Sequence, residues 1–445
     1  MPTGLRRFAR RGSTVAVVLA SSCAIVGVVA SCSSDEELGT VVVDAGVEAT
    51  TILDAAPADA GPADAPVVIR DAAPFDGGPL PIVCTSPPCA QALVTTVRSI
   101  VDLSSEDRDG FCALASDGTV ACWGANGRGQ LGRGDEAGAP DGPKPERVAG
   151  LTKVVQLEHT CALDEDGAIW CWGTGPYLEN DAGAVTTART PVKLPLPPAT
   201  SMSVGDRVGC AVAAGKLLCW GSNGGGQIAP FEMEPSGAVL LPREIELPPG
   251  APIRRVAVGQ GTIVLREDGT ALSWGRNPPI ARVSSLDPDP YPDSVVLNDI
   301  SSLDLTGDVA CATSGGVGYC WGPARSFGVP RWMPVAVATP EPIVDIAVAS
   351  VGRIRWCAVG ASGAVYCFGN NAGGQAGDGT KDHAYTAVQV KDLPAPAAQV
   401  RVTQHSTCAL LTNGKVHCWG TNYYGQLGSG ALKEPSLVPQ EVVLP

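Results

Sequence analysis

A stretch near the end of the chain, TCALLTNGKVHCWGTNYYGQLGSG (Thr407–Gly430), contains the pattern that decides the fold. Cys408 and Cys418 stand ten residues apart around an Asn-Gly turn signal, and a Trp-Gly pair follows the second cysteine. Such a turn between two apolar segments predicts a β-hairpin. Taken alone, the two cysteines are compatible with a metal site, a redox pair or a disulfide.

The same pattern is written seven times. In most copies a cysteine followed by alanine comes first, then a turn, then a second cysteine followed by Trp-Gly. The seven copies are Phe111–Gly124, Thr160–Gly173, Gly209–Gly221, Thr262–Gly275, Ala310–Gly322, Trp356–Gly369 and Thr407–Gly420. The first pattern positions of successive copies lie 49, 49, 53, 48, 46 and 51 residues apart. A period near fifty with glycine-rich punctuation predicts an all-β chain, a β-propeller with one antiparallel blade per repeat.

Each copy predicts a hairpin whose two cysteines face each other across the strands. In the first copy, setting Cys112 opposite Cys122 also pairs Leu114 with Val120 and puts Gly118 at the end of a three-residue loop. In the third and fifth copies the cysteines are nine residues apart, and the missing residue falls in the turn. Cysteine, leucine and valine share one face of the hairpin, and alanine and tryptophan share the other, as blades packed on both faces require.

The cysteines are predicted to form disulfides. The fourth copy has Ile263 and Ser273 at the two positions, and this joint loss is the behaviour of a bond. In an exported protein, disulfides are the expected state. The spacing is neither a zinc knuckle nor a Cys-x-x-Cys redox motif, and buried free thiols are the remaining alternative. The predicted pairs are Cys84–Cys89, Cys112–Cys122, Cys161–Cys171, Cys210–Cys219, Cys311–Cys320, Cys357–Cys367 and Cys408–Cys418, with no metal and no cofactor.

The first residues have the layout of an export signal. Residues 1–31 contain four arginines, followed by an apolar run that ends at Val29-Ala30-Ser31 before Cys32. This end resembles the bacterial lipoprotein processing box, which implies that Cys32 becomes the acylated first residue. An ordinary signal peptide cut at the same small residues is the alternative. Ser33 in the next position implies, by the same resemblance, an anchor in the outer membrane, on its periplasmic or surface face.

The rest of the chain divides into a tether and a propeller. Residues 32–82 are rich in Ala, Asp and Pro and predict a disordered tether, because they cannot bury enough apolar surface to order. Residues 83–445 are predicted to form the propeller. Arg98–Ser105 and Val438–Pro445 are expected to share a blade and so close the ring. The net charge of −14, with no basic stripe, argues against binding to nucleic acid.

The repeat resembles the regulator-of-chromosome-condensation family, whose units run roughly HTxAL-xxDG-xVxxWGxN-xxGQLGxG. The match is strongest in His159–Gly173, Cys122–Gly134 and Cys418–Gly430, and the second and fifth units lack the Asn and the Gly-Gln-Leu-Gly. The similarity covers about residues 95–445. It implies a seven-bladed β-propeller of four-stranded antiparallel blades.

A resemblance of fold leaves function open. The founding member of the family exchanges guanine nucleotides on a small GTPase at chromatin, a role that export and an acidic chain disfavour here. Secreted bacterial relatives include a β-lactamase inhibitor that binds through its propeller surface. We therefore expect a monomeric, non-enzymatic binding or scaffolding module that presents a propeller surface to an envelope or extracellular protein. The alternatives are binding of a carbohydrate or envelope polymer, and a hydrolase.

Candidate contact residues are aromatic side chains that the repeat does not require. They are Tyr423 in a loop, Phe327 and Trp332 in the irregular segment RSFGVPRWMP, and Trp356 before a cysteine. Interfaces favour Trp and Tyr, and core filling is the alternative for each residue. No catalytic residue is predicted, because signatures of a nucleophilic serine, a phosphate loop or a metal site are absent from the sequence. His159, at a consensus place of the repeat, is expected to be a structural hydrogen bonder.

Overall fold

A computed structural model of the chain describes residues 75, 77–85, 87–96, 109–134, 140–179, 185–205, 207–234, 238–323, 329–351 and 353–445. All of them fall within one compact unit, Ile69–Pro445. The predicted signal peptide, Cys32, Phe327 and the predicted strand at residues 98–105 lie outside the described residues. Within them, the strands form seven four-stranded antiparallel sheets, which confirms the predicted seven-bladed propeller. In this part of the chain no helix has the length and hydrophobicity to cross a membrane.

Each blade consists of four strands that are consecutive in the chain. Blade 1 contains β1 (Ala90–Thr95), β2 (Gly110–Ala115), β3 (Val120–Gly124) and β4 (Gly142–Arg147). Blade 2 contains β5 (Val154–Glu158), β6 (Cys161–Asp164), β7 (Ile169–Glu179) and β8 (Val185–Lys193). Blade 3 contains β9 (Ser201–Val204), β10 (Val208–Ala213), β11 (Lys216–Ser222) and β12 (Val239–Glu244).

The remaining four blades repeat this order. Blade 4 contains β13 (Ile253–Val258), β14 (Gly261–Arg266), β15 (Ala271–Gly275) and β16 (Asp289–Ser294). Blade 5 contains β17 (Ile300–Thr306), β18 (Val309–Ser314), β19 (Val317–Gly322) and β20 (Arg331–Val337). Blade 6 contains β21 (Ile343–Val351), β22 (Arg353–Gly360), β23 (Val365–Gly369) and β24 (Ala384–Gln389). Blade 7 contains β25 (Ala397–Val402), β26 (Ser406–Leu411), β27 (Val416–Gly420) and β28 (Ser436–Val442).

The middle hairpin of every blade has the predicted register. The six cysteine pairs lie directly opposite each other, and Ile263 opposes Ser273 in the fourth copy. Where the cysteines are nine residues apart, the turn has two residues with positive φ, 50° at Ala214 and 77° at Gly215 in blade 3. Two positive φ values are those of a type I′ turn, which matches the twist of the strands. The shorter turn therefore keeps the cysteines opposed.

Neighbouring blades pack the disulfide face of one hairpin against the tryptophan face of the next. Between blades 1 and 2, Cys112 and Cys122 lie in one buried cluster with Ala162 and Trp172. The other six interfaces follow this arrangement with three substitutions: Ile263 replaces the disulfide and Val264 the alanine in blade 4, and Trp356 with Phe368 replaces the tryptophan in blade 6. Small alanines leave room for the indole, so the core consists of seven similar layers between blades.

An indole hydrogen bond accompanies this packing. The Trp172 indole N–H donates to the main-chain carbonyl of Gln130 in the preceding blade, at 2.8 Å. The same bond joins Trp274 to Gln227 and Trp419 to Gln375. Gly132, with φ +63°, lies beside the indole, where an added Cβ would come within 2.9 Å of the Trp172 ring. The Gly-Gln-Leu-Gly motif therefore holds the tryptophan of the next repeat.

The ring closes differently from the prediction. The two ends of the chain do not share a blade, because blade 1 already has four strands that begin with β1 and blade 7 ends with β28. Closure uses the contacts found between other blades. The Trp123 indole N–H donates to the Gln426 carbonyl at 3.0 Å, and the Leu93 amide donates to the Gln399 side chain at 3.1 Å. Since the seventh interface repeats the other six, no exchanged strand is needed.

Replacing Trp172 by phenylalanine tests the indole bond. Trp172→Phe leaves the buried Gln130 carbonyl without its donor and leaves a gap, so we expect the free energy of unfolding to fall by about 2–4 kcal/mol. Urea unfolding followed by far-ultraviolet circular dichroism measures the change. The matched control is Trp332→Phe on the outer strand β20, where the side chain is 44% exposed. A similar loss of stability in both variants would contradict the assignment.

Candidate functional site

A polar channel runs along the centre of the propeller. Its cavity, of about 330 Å³, is lined by the first strand of every blade, which places β1, β5, β9, β13, β17, β21 and β25 innermost. These strands pair on one side only, so their inner edges carry backbone groups that the sheet does not satisfy. Buried backbone groups of this kind need other partners.

Side chains in one blade provide those partners for the next blade. In blade 2, the Gln156 side chain accepts from the Met202 amide at 3.2 Å and donates to the Met202 carbonyl at 2.8 Å. The Ser203 hydroxyl accepts from the Val258 amide, and the Asp304 carboxylate from the Val348 amide. Polar residues in the channel therefore join the innermost strands to one another.

One complete ion pair lies in this channel. Arg401 Nη1 donates to Asp345 Oδ2 at 2.9 Å. The same carboxylate accepts from the Ser302 hydroxyl at 2.7 Å and from the Val400 amide at 2.9 Å. Burial works against the charged form of Arg401, yet Asp345 and Asp304 together raise the pKa of its guanidinium. The Asp345 side chain is 7% exposed and that of Arg401 is 25% exposed, and the further hydrogen bonds to the carboxylate help to stabilise this largely buried pair.

Two other carboxyl groups in the channel have raised pKa values. Burial raises the pKa of Glu158, and the charges of Arg255 and Arg401 only partly counter it. Burial also raises the pKa of Asp304, against the opposing hydrogen bond from the Val348 amide. Each of these carboxylates lacks the close cation that Asp345 has.

Three of the four histidines lie in structural settings. His159 has a φ of 51°, and its Nδ1 lies 3.0 Å from the Thr95 carbonyl, so the side chain connects blades 2 and 1. His405 lies 3.2 Å from the Asp109 carboxylate across the interface that closes the ring. Burial lowers the pKa of His417 on β27. Across the described ranges, no group of three or more His, Cys, Asp or Glu side chains could hold a metal ion.

The loops between third and fourth strands form one face of the propeller, here called the loop face. The loop after β27 presents Tyr423, whose side chain is 58% exposed. Its backbone is fixed from both sides. The Asn422 side chain accepts from the Leu427 amide at 3.0 Å, and the Gln426 side chain accepts from the Tyr424 amide at 2.8 Å. Tyr423 is therefore an exposed aromatic residue on a rigid loop.

The other candidate aromatic residues differ in position. Trp332 is 44% exposed, but it lies on the outer strand β20, away from that loop. Trp356 is 3% exposed and stacks on Phe368 with ring centroids 5.6 Å apart. Its assignment as a contact residue is wrong, because the sixth repeat has Phe368 in place of the usual tryptophan. Trp356 fills the blade interface there.

The opposite face, formed by the hairpin turns, is partly covered by the chain itself. Phe75 packs beside the turn of blade 5 at Gly316, and the Val83 amide donates to the Thr412 carbonyl at the turn of blade 7. Pro79, between them, lines the central cavity. Residues 75–85, here called the strap, were predicted to belong largely to the disordered tether. Phe75 and Ile82 in this segment pack against the hydrophobic core.

The seven predicted cysteine pairs are the pairs that the structure joins. Six pairs lie across the blade hairpins with Cα atoms 4.1 Å apart. Cys84 and Cys89 form the seventh, with Cα atoms 5.7 Å apart, at the end of the strap. The blade cysteines are 1% exposed or less, whereas Cys84 is exposed. The disulfides therefore belong to two classes of accessibility.

The channel residues were not predicted from the sequence. Gln156, Arg255 and Gln399 each pair with the leucine, or its equivalent, two residues after the first cysteine position of the adjacent strand. A polar residue at this one position of an otherwise apolar strand is the signal that could have identified them. It becomes visible only after the repeats are aligned by their cysteines.

Two family models of the regulator of chromosome condensation (RCC1) repeat match this chain. One matches residues 157–177 and 399–426, and the other matches residues 117–163 and 413–445. The protein is an RCC1-like repeat protein. The matched segments hold the hairpins of blades 2 and 7, part of the hairpin of blade 1, and the Gly-Gln-Leu-Gly motifs of blades 1 and 7.

Two curated relatives are similar to part of the RCC1-like chain. Human E3 ubiquitin-protein ligase HERC2 is 27% identical over 236 residues, which are 52% of this chain and 4% of the ligase. The ultraviolet-B receptor UVR8 of Arabidopsis thaliana is 26% identical over 337 residues, which are 72% of this chain and 64% of the receptor. The chain spans less than two thirds of either relative.

Solved structures show the same fold. Prp20p of Saccharomyces cerevisiae superposes with a TM-score of 0.59 at 19% identity, covering 74% of this chain and 87% of that protein. Human WBSCR16 superposes with a TM-score of 0.61 at 17% identity, covering 74% of this chain and 95% of the other. At these identities the likeness concerns the fold alone.

The raised pKa of Glu158 predicts a dependence of stability on pH. The folded protein keeps the Glu158 proton to higher pH than the unfolded chain, whose ordinary pKa is 4.5. As the pH rises through and above that value, the unfolded chain ionises first, so this group makes the folded state progressively less stable. Glu158→Gln removes the effect, and the variant should gain stability relative to wild type between about pH 4 and 7.

Urea unfolding at several pH values measures that difference. The control is Glu441→Gln. Glu441 forms a half-exposed ion pair with Lys415, and such a pair contributes little to the free energy of unfolding. Its difference from wild type should change little over the same range. A flat profile for Glu158→Gln would contradict the burial argument.

The two classes of disulfide predict an order of reduction. When the folded protein is treated with a mild dithiol and then iodoacetamide, Cys84 and Cys89 should be alkylated first, because reduction requires access to a sulfur atom. The twelve blade cysteines should react only after urea is added. Peptide mass spectrometry gives the order, and blade cysteines that react as fast as Cys84 in the folded protein would refute it.

Proposed function

We propose that this RCC1-like protein is a non-enzymatic binding module of the cell envelope, which holds a protein partner on its loop face. An acyl group on Cys32 would anchor it to the outer membrane, and the residues before the strap would act as the tether. The observation that carries the proposal is Tyr423, an exposed aromatic residue on a loop that its own hydrogen bonds fix.

The energetics of interfaces support this role for Tyr423. Tyrosine supplies a large contact area with few rotatable bonds, and it is enriched among residues that dominate binding energy. A loop fixed before binding pays little ordering entropy when a partner arrives. The Gln426 side chain that holds the loop also belongs to the motif that binds Trp123 of blade 1, so the loop is anchored in the core.

The position of the strap supports the choice of face. The strap covers part of the turn face. The loop face is free of this segment. Among similar structures, Prp20p is described by its binding to Gsp1p and histones, which is consistent with protein binding by this class of propeller.

The test is a comparison of two tyrosine variants. The full chain, solubilised from membranes, is used as bait for an envelope extract, beside Tyr423→Ser and Tyr385→Ser. Tyr385 is 78% exposed on the outer strand β24, so it controls for the loss of an exposed ring. We expect one protein to be recovered in a fixed ratio with wild type and Tyr385→Ser, and at least about tenfold less with Tyr423→Ser.

Other outcomes would contradict this proposal. Equal recovery with all three baits would mean that Tyr423 is not the anchor. Retention of all three baits on envelope polysaccharide, with no protein recovered, would favour carbohydrate binding. Turnover of a substrate by the purified chain would contradict the non-enzymatic role.

A further inference from the structure

Three charged side chains in the central channel lack a charged partner in contact. Glu158 accepts one long bond from the Ser203 hydroxyl, at 3.4 Å. Asp304 accepts from the Val348 amide at 2.7 Å. Among the residues that the structure describes, the Arg255 guanidinium forms neither a hydrogen bond nor an ion pair. All three line the same cavity.

Arg255 is an exception among the channel side chains, because it does not bond to the next blade. It occupies the register position that holds Gln156 in blade 2 and Gln399 in blade 7, and both glutamines bond to the next blade. An arginine there adds a charge without adding such a bond. The charge of Arg255 partly counters the burial of Glu158, but the guanidinium forms no ion pair with that carboxylate. The bonds that join the blades in the channel therefore do not explain Arg255.

The charges that face the cavity define what would complement it. Arg401 and Asp345 neutralise each other in their ion pair. Glu158 and Asp304 each carry one negative charge when ionised and Arg255 carries one positive charge, so these three groups together carry a net charge of about −1. A complementary ligand has two cationic groups and one anionic group. The cavity of about 330 Å³ is at the small end of ligand pockets.

We propose that the central channel binds a small basic amino acid, with its carboxylate on Arg255 and its two ammonium groups on Glu158 and Asp304. A bidentate guanidinium–carboxylate contact is strong and directional, and each ammonium group supplies three donors to a carboxylate. The ligand brings the missing partner to each of the three unpaired groups. This inference does not depend on the proposed protein partner, because it uses none of the loop-face residues.

The shape of the channel determines the entrance. Pro79 of the strap lines the cavity on the turn face, and Gln404, in the loop between β25 and β26, lines it on the loop face. With the strap in place, the ligand enters from the loop face. Binding brings cations to two carboxylates with raised pKa values, so it releases protons and weakens as the pH falls.

Titration calorimetry with the full chain and L-lysine tests the proposal. We expect saturable binding of one lysine per chain. Norleucine, which lacks the side-chain ammonium, and cadaverine, which lacks the carboxylate, should each bind at least about tenfold more weakly. L-glutamate should not bind. Absence of binding by lysine, ornithine and arginine at millimolar concentration would overturn the proposal and leave the channel filled by water.

Variants with matched controls locate the site. Arg255→Gln and Glu158→Gln should each weaken lysine binding at least about tenfold, since each leaves a ligand charge unpaired. The controls are Arg254→Gln, an exposed neighbour on β13 that does not line the cavity, and Glu441→Gln on β28. Both should bind as wild type does. Circular dichroism verifies that each variant is folded, and equal binding by Arg255→Gln and Arg254→Gln would refute the site.

Discussion

The propeller depends on the contact between the tryptophan of a repeat and the preceding blade. The ring packs against a disulfide or its isoleucine substitute, and in four described repeats its N–H reaches a glutamine carbonyl of that blade. Burying an indole contributes more apolar area than any other side chain, and the bond satisfies its one polar atom. Because the donor and acceptor belong to successive repeats, no repeat is complete without its neighbour, and seven of them close a ring.

The disulfides and the central side chains stabilise different parts of each blade. A disulfide across a loop of about ten residues contributes ~2–3 kcal/mol and joins two strands of the same blade. Side chains such as Gln156 and Asp345 join the innermost strands of different blades. Blade 4 illustrates that the disulfide and the side-chain bonds between blades are independent of each other. It has lost its disulfide, and Ser273 there donates to the Ile280 carbonyl at 2.5 Å, while Arg255 stands where another blade has a structural glutamine.

The repeat could be predicted from the sequence because its signals are local. A separation of nine or ten positions between the paired cysteines determines the register, and the count of copies determines the number of blades. Ring closure was predicted wrongly, since β1 (Ala90–Thr95) was not recognised as a strand and a later segment was assigned in its place. The channel could not be predicted, because its bonds connect residues of different repeats, such as Gln399 and Leu93, which lie 306 positions apart. Trp356 was wrongly assigned as a contact residue, because its place in the blade interface depends on its stacking with Phe368.

The two faces of the propeller differ for a reason that lies in the topology. In a four-stranded meander, the hairpin turn between the second and third strands points to one side. The connection between the first two strands and the longer connection between the last two strands point to the other side. The turns are short because the cysteine register fixes them, so they offer a level surface on which the strap lies. In blades 1 and 7 the longer connection carries Gly-Gln-Leu-Gly, whose glutamine carbonyl accepts from the tryptophan of the next blade. A residue such as Tyr423 can vary within that loop because the asparagine and glutamine beside it already hold the backbone. The propeller thus separates the residues that build it from those available for recognition, within a single loop.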